Sequence, residues 1–232
     1  MKKKISFIPK TEIAQYAVPR PEPAKNYTPS WFKKIPSFEH GKPKMANDES
    51  LSTVKMCMPF SDTFNMGYIQ ESWSDFIVEK DENSDEIFYR WAAEPELAQH
   101  RQKASVLIDD SFYQTEFSWK SQWAPKLPDG YSCLVTHPLN HLDLPFVTLS
   151  GVVDSDKFFH ESAGNHPFYL KKGFTGLIPK GTPLFQIIPF KRDSWESSAE
   201  EFTNEIKYLQ LKIRQQFWGA YKKQFWTKKS FK

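Results

Sequence analysis

Short apolar stretches separated by turn residues run through the middle of the chain. From Thr53 they read Val54 to Met58, Gly67 to Gln70, Phe76 to Glu79 and Ile87 to Trp91. After Phe117-Ser118-Trp119-Lys120 they continue as Ser132 to Thr136, Phe146 to Val153, Phe168 to Lys171, Gly176 to Ile178 and Pro183 to Pro189. Phe76-Ile77-Val78-Glu79 and the segment Glu86 to Trp91 read as the two strands of a hairpin. The polar stretch 80–86 between them predicts a hairpin connection. Pro128-Asp129-Gly130-Tyr131 predicts a turn, because proline presets φ and glycine supplies φ > 0. Prolines 183 and 189 bracket the last strand, where a lost N–H matters least. Short strands at near-regular spacing predict a barrel or sandwich. A short helix is predicted over Glu94 to Lys103.

The period then changes. Ser197 or Ser198, with Glu200 or Glu201 three residues later, makes a capping-box pattern. Phe202, Ile206, Leu209, Ile213, Phe217, Tyr221 and Phe225 follow at spacings of three or four. That is one face of a helix of about 28 residues, or ~42 Å, whose stripe is expected to pack on the strand-rich core. Before Thr53 the pattern is different again. Prolines at 9, 19, 21, 23, 29, 36 and 43 predict an extended arm that wraps the body, with Trp31 and Phe32 as its anchors. The chain therefore divides as an arm over 1–50, a β-rich core over 51–194 and a basic amphipathic helix over 195–232.

Composition sharpens this picture. Aromatics make up 16% of the 232 residues and prolines outnumber glycines 17 to 9, which favours strands and ordered loops over helices. The net charge of +3 is unevenly placed: Thr203 to Lys232 holds eight Lys or Arg and one Glu, so the other 202 residues sum to −4. Basic character is thus a C-terminal property. No apolar run follows the basic start Met1-Lys2-Lys3-Lys4, and none approaches the ~18 residues of a membrane span. Cys57 and Cys133 stand far apart, which fits reduced thiols and a soluble cytoplasmic protein, or a virion-associated one if phage-encoded.

Two segments carry a resemblance. Gly151-Val152-Val153-Asp154-Ser155-Asp156, followed by Ile178-Pro179-Lys180-Gly181-Thr182-Pro183-Leu184-Phe185-Gln186-Ile187-Ile188, is similar in order to the core of dUTPases and dCTP deaminases. The resemblance implies a mainly β, β-clip fold with trimeric assembly, and it makes Asp154 the counterpart of the aspartate that positions the attacking water. It departs from that family at several points. Lys157 and Phe158 stand where a sugar-stacking tyrosine is expected. Thr136-His137-Pro138-Leu139-Asn140-His141 stands in place of an Arg-Ser phosphate motif, and the glycine-rich phosphate lid is missing. The chain from 53 to 192 also resembles an uncharacterised family of tailed phages and some bacteria. Thr53 to Phe60, Gly130 to Asn140, Leu149 to Asp156, and Ile178 to Pro183 through Lys191-Arg192 carry that likeness.

Three groups of residues could carry function. Triphosphate chemistry needs cationic or N–H-rich contacts to oxyanions, usually with Mg²⁺. Asp154 as the catalytic carboxylate, with His137, Asn140, His141 and Lys157 as ligand contacts, is the nucleotide-binding or nucleotide-hydrolase alternative. His141-Leu142-Asp143, with a distal His160 or His166 and Arg192 as a carboxylate partner, would imitate the facial triad of a metal-dependent oxygenase. Trp218, Tyr221, Lys222, Lys223 and Trp226 form a basic aromatic surface suited to a protein partner or to nucleic acid. Cys57 and Cys133 fit small core positions rather than a metal or nucleophile. The leading expectation is a non-catalytic binding or assembly protein on a degenerate dUTPase-like fold. It is expected to be a homo-oligomer, with the trimer an analogy.

Overall fold

The computed structural model describes residues 3–42, 51–82, 84, 86–101, 109–160, 164–214 and 219–232. In chain order the elements are β1 (Ser6–Pro9), α1 (Glu12–Ala17), β2 (Glu22–Pro23), α2 (Ser30–Lys34), α3 (Met58–Thr63), β3 (Tyr68–Glu71), β4 (Phe76–Lys80), β5 (Ile87–Arg90), β6 (Ala98–His100) and β7 (Phe117–Lys120). They continue as β8 (Trp123–Lys126), β9 (Tyr131–Thr136), β10 (Phe146–Thr148), β11 (Gly151–Val153), β12 (Asn165–Leu170), β13 (Gly176–Ile178), β14 (Pro183–Lys191), α4 (Asn204–Arg214) and α5 (Ala220–Gln224). The chain forms two compact units, Met1–Tyr27 with Gly67–Arg192, and Thr28–Met66 with Asp193–Lys232. The protein is mainly β, as expected.

Among the described residues the first unit holds β1 to β14, in four antiparallel sheets ordered β1-β8, β10-β12-β7-β6, β11-β9-β14-β3-β2 and β13-β4-β5. Period-two alternation sets the faces. Along β4, Phe76 and Val78 are buried while Glu79 and Lys80 face solvent, and β5 pairs with it through the expected hairpin. The core is aromatic: Phe76, Phe117, Trp119, Phe146, Phe168 and Phe185 are fully buried. Trp119 lies flat on Phe168 with centroids 3.6 Å apart, and its indole N–H donates to Thr148 Oγ1 at 3.2 Å. Each such ring contributes roughly 1.5–3 kcal/mol through burial.

Residues 3–27 are tied into this unit by backbone pairing of β1 and β2. β1 pairs with β8, and β2 with its terminal Pro23 forms an edge of the five-stranded sheet. Thr11 caps α1 by accepting the Ala14 N–H at 3.0 Å, which seats Ala14 and Val18 in the core. The Val18 and Pro19 carbonyls then accept from Trp123 Nε1 and Gln70 Nε2. Residues 28–42 of the expected arm belong to the second unit.

Several elements differ from the sequence expectation. Val54 to Met58 is not a strand: Thr53 accepts the Lys55 N–H, starting a 3-10 turn over Val54–Met56, and Pro59 opens α3. In that second unit, Phe60 and Phe64, one helical turn apart, meet Phe32 at 5.7 and 4.6 Å, with Trp31 edge-on to all three rings. The helix expected from Glu94 is β6 instead, because Ala98 to His100 completes the ladder beside β7. Residues 102 and 103 of that expectation lie outside the described ones. Phe146 to Val153 is two strands in different sheets, β10 pairing with β12 and β11 with β9. Within the span of the expected C-terminal helix the described residues form α4 and α5, and 215–218 lie outside them. Thr203 Oγ1, rather than Ser197 or Ser198, accepts the first-turn N–H of Ile206 at 3.3 Å, and Gly219 before α5 sits at φ +73. The stripe expected to pack is exposed, with Ile206, Leu209 and Ile213 at 37%, 45% and 38% accessibility.

Candidate functional site

Strand β9 lies between β11 and β14, so turns of this sheet gather at its two ends. At its start the Pro128-Asp129-Gly130 turn, with Gly130 at φ +82, brings the Gly130 N–H to face the loop after β11. Arg192 follows the last residue of β14 and its own N–H donates to the Gly130 carbonyl at 2.9 Å. That fixes where the guanidinium projects. Arg192 Nη1 donates to Asp156 Oδ1 at 2.9 Å, Ser132 Oγ at 2.9 Å, the Tyr131 carbonyl at 3.1 Å and Asp154 Oδ1 at 3.2 Å. Arg192 Nη2 donates to Asp156 Oδ2, which completes a bidentate pair, and that oxygen also accepts the Gly130 N–H at 2.9 Å.

The two aspartates differ. Asp156 has a side chain only 2% accessible, and its carboxyl is held well below the usual carboxylate range by the Arg192 guanidinium, aided by the Gly130 N–H. Asp154 is 60% accessible, and its Oδ1 already accepts from both Ser132 Oγ, at 2.7 Å, and Arg192. Asp154, Asp156 and Arg192 therefore tie the ends of three neighbouring strands together. Lys157 is exposed in the same turn, where its N–H donates to the Asp154 carbonyl.

His137, Asn140 and His141 sit at the other end of β9. Ser132 touches Asp154, and His137 follows five residues later, about 16 Å along an extended strand. The structure thus brings Lys157 to Asp154 but does not bring the three loop residues there. His137 Nδ1 accepts the Thr148 N–H at 3.3 Å, so its Nε2 carries the proton and donates to the His141 carbonyl at 3.2 Å. Burial lowers the His137 pKa and takes that of His141 down to about 4, so both rings are neutral at pH 7. Asn140 occupies the left-handed region at φ 61, and the neighbouring Leu139 N–H is taken by Gln186 Oε1 at 2.8 Å. This loop is held by hydrogen bonds within it and to Thr148 of β10 and Gln186 of β14.

The His-x-Asp pair does not gather a triad. His141 is buried while Asp143 is exposed, His160 is exposed beside Phe159, and His166 is buried against Phe185 at 4.3 Å. Among the described residues no group of three or more His, Cys, Asp or Glu stands close enough to hold a metal. Arg192, the supposed carboxylate partner of that site, serves Asp154 and Asp156 instead.

In the second unit Tyr221, Lys222 and Lys223 are exposed, while Trp218 lies outside the described residues. Trp226 is used internally: its indole N–H donates to Asp62 at 2.9 Å, and Lys229 pairs with the same carboxylate at 2.7 Å. Asp62 is 6% accessible, a buried charge that needs these partners. Nothing in the local sequence around Asp62 marks it. The Arg192 arrangement had a signal, an aspartate pair two residues apart after one strand and an arginine at the end of another. A separate open cleft of about 750 Å³ in the first unit is lined by Trp73, Asp75, Ile77, Arg90, Trp91 and Lys180.

No protein-family model matches the chain, and no curated protein matches it. Among solved structures, a point mutant of the dUTPase from phage phi11 of S. aureus, described as revealing the coordination of a structural Mg(II) ion, is similar at 13% identity with a TM-score of 0.37. That alignment covers 87% of this chain and 99% of the dUTPase chain.

Proposed function

We propose that this is a non-catalytic binding or assembly protein, a degenerate member of the dUTPase-like β-clip group and of the phage and bacterial family that its sequence resembles. The carrying observation is the engagement of Asp154. Its Oδ1 accepts from Ser132 and Arg192, and it stands a strand's length from His137, Asn140 and His141. In-line attack on a triphosphate needs a carboxylate that orients water beside cationic phosphate contacts. Here the nearest arginine is spent on the protein's own carboxylates.

Exposed apolar side chains support the binding half of the reading. Trp195, Phe202, Tyr208, Leu209, Leu211 and Phe225 are each between 45% and 88% accessible within one segment of the chain. Large apolar side chains left this exposed in one segment fit contact with another macromolecule. The test is a thermal-shift panel of deoxynucleoside mono-, di- and triphosphates with Mg²⁺. The expected result is no specific stabilisation. A shift of several degrees by one deoxynucleotide, lost in Asp154→Asn, would return the nucleotide reading to first place.

A further inference from the structure

We infer that α4 is a self-association element that pairs antiparallel with α4 of a second copy of this chain. The inference rests on the assembly reading above and names the partner. At 100° per residue, Ile206, Leu209 and Ile213 fall within about 60° of one another on the helix surface. Their three-then-four spacing is that of the a and d positions of a heptad, and all three are exposed. Phe202 continues the spacing just before the helix and is 66% accessible.

The flanks of that stripe decide the orientation. Glu205 and Lys212 lie along one side of it and neutral Gln210 along the other. In a parallel pair the Glu205 flank faces the Gln210 flank, and no charges match. In an antiparallel pair each flank meets its own copy. Glu205 then faces Lys212 of the second copy, and two-fold symmetry repeats the contact. Ile206 packs on Leu209 of the second copy and the reverse, while Ile213 lies opposite Phe202. The helix dipoles also run head to tail, which favours this orientation over the parallel one. An 11-residue helix is about 16 Å long, so the pair buries less than the ~1,200 Å² of a standard stable interface. The dimer is accordingly weak and reversible.

Sedimentation equilibrium of the full chain over a wide concentration range tests this. A monomer–dimer equilibrium is expected, abolished by Leu209→Asp with the melting temperature unchanged, since Leu209 is exposed. Glu205→Lys and Lys212→Glu should each weaken the dimer about tenfold, because each replaces two attractive pairs by two repulsive ones. Mixing the two single variants should restore association as a heterodimer, in which both contacts are attractive again. A monomer at every concentration would overturn the inference. So would an oligomer indifferent to Leu209→Asp and to the charge reversals, although assembly through another surface would leave the proposed function standing.

Discussion

Asp156 shows how one carboxylate can hold a turn in place. Both of its oxygens accept from Arg192, one also accepts the Gly130 N–H, and its side chain is nearly inaccessible. Its folded pKa is depressed, so it contributes stability that is complete above the ordinary carboxylate value of about 3.9 and is lost as pH falls through the lower folded value. Arg192→Met should therefore lower the melting temperature most at neutral pH, and the gap from the wild type should shrink as pH falls below about 4. Calorimetric melting of both proteins between neutral pH and strong acid checks this. The buried histidines titrate in both proteins alike, so they cancel in the difference. A gap that stayed constant with pH would mean that Arg192 acts by packing rather than by charge.

At the scale of elements, Gly67 allows a close approach of the chain entering β3 to β14. It sits at φ +67 before β3, and a Cβ there would overlap the Ile187 carbonyl oxygen on β14. Gly67→Ala should cost about 2–4 kcal/mol, through the left-handed backbone and the forced separation of β3 from β14, read as a lowered denaturation midpoint. The strands themselves were legible wherever one face alternates, as in β4 and β5, or where turn residues frame an apolar run, as in β9 and β14. β1, β6 and β8 were not, because Ser6-Phe7-Ile8-Pro9, Ala98-Gln99-His100 and Trp123-Ala124-Pro125-Lys126 take their structure from pairing with distant segments. The aspartate turn after β11 was visible in the sequence. Its arginine partner was visible only as a residue, since the ladder that places Arg192 beside Asp154 joins positions 38 residues apart. The C-terminal periodicity was read as one helix because Gly219 gives only a weak local signal inside an amphipathic run.

At the scale of the molecule, the strand-bearing unit and the unit of Thr28–Met66 with Asp193–Lys232 carry different features. The first holds the aspartate turn and the histidine loop. The second holds the exposed apolar helix, and among the described residues it also holds the Trp226 and Lys229 contacts to Asp62. No helix among the described residues is long and apolar enough to cross a membrane. The central claim is that the Asp154 turn serves the fold and not a reaction. The most direct measurement is release of pyrophosphate, phosphate or ammonia from dUTP and dCTP with Mg²⁺ at high protein concentration, for wild type and Asp154→Asn. The account predicts that neither protein exceeds the rate without protein. Turnover by the wild type that Asp154→Asn abolishes, with melting temperature unchanged, would contradict it.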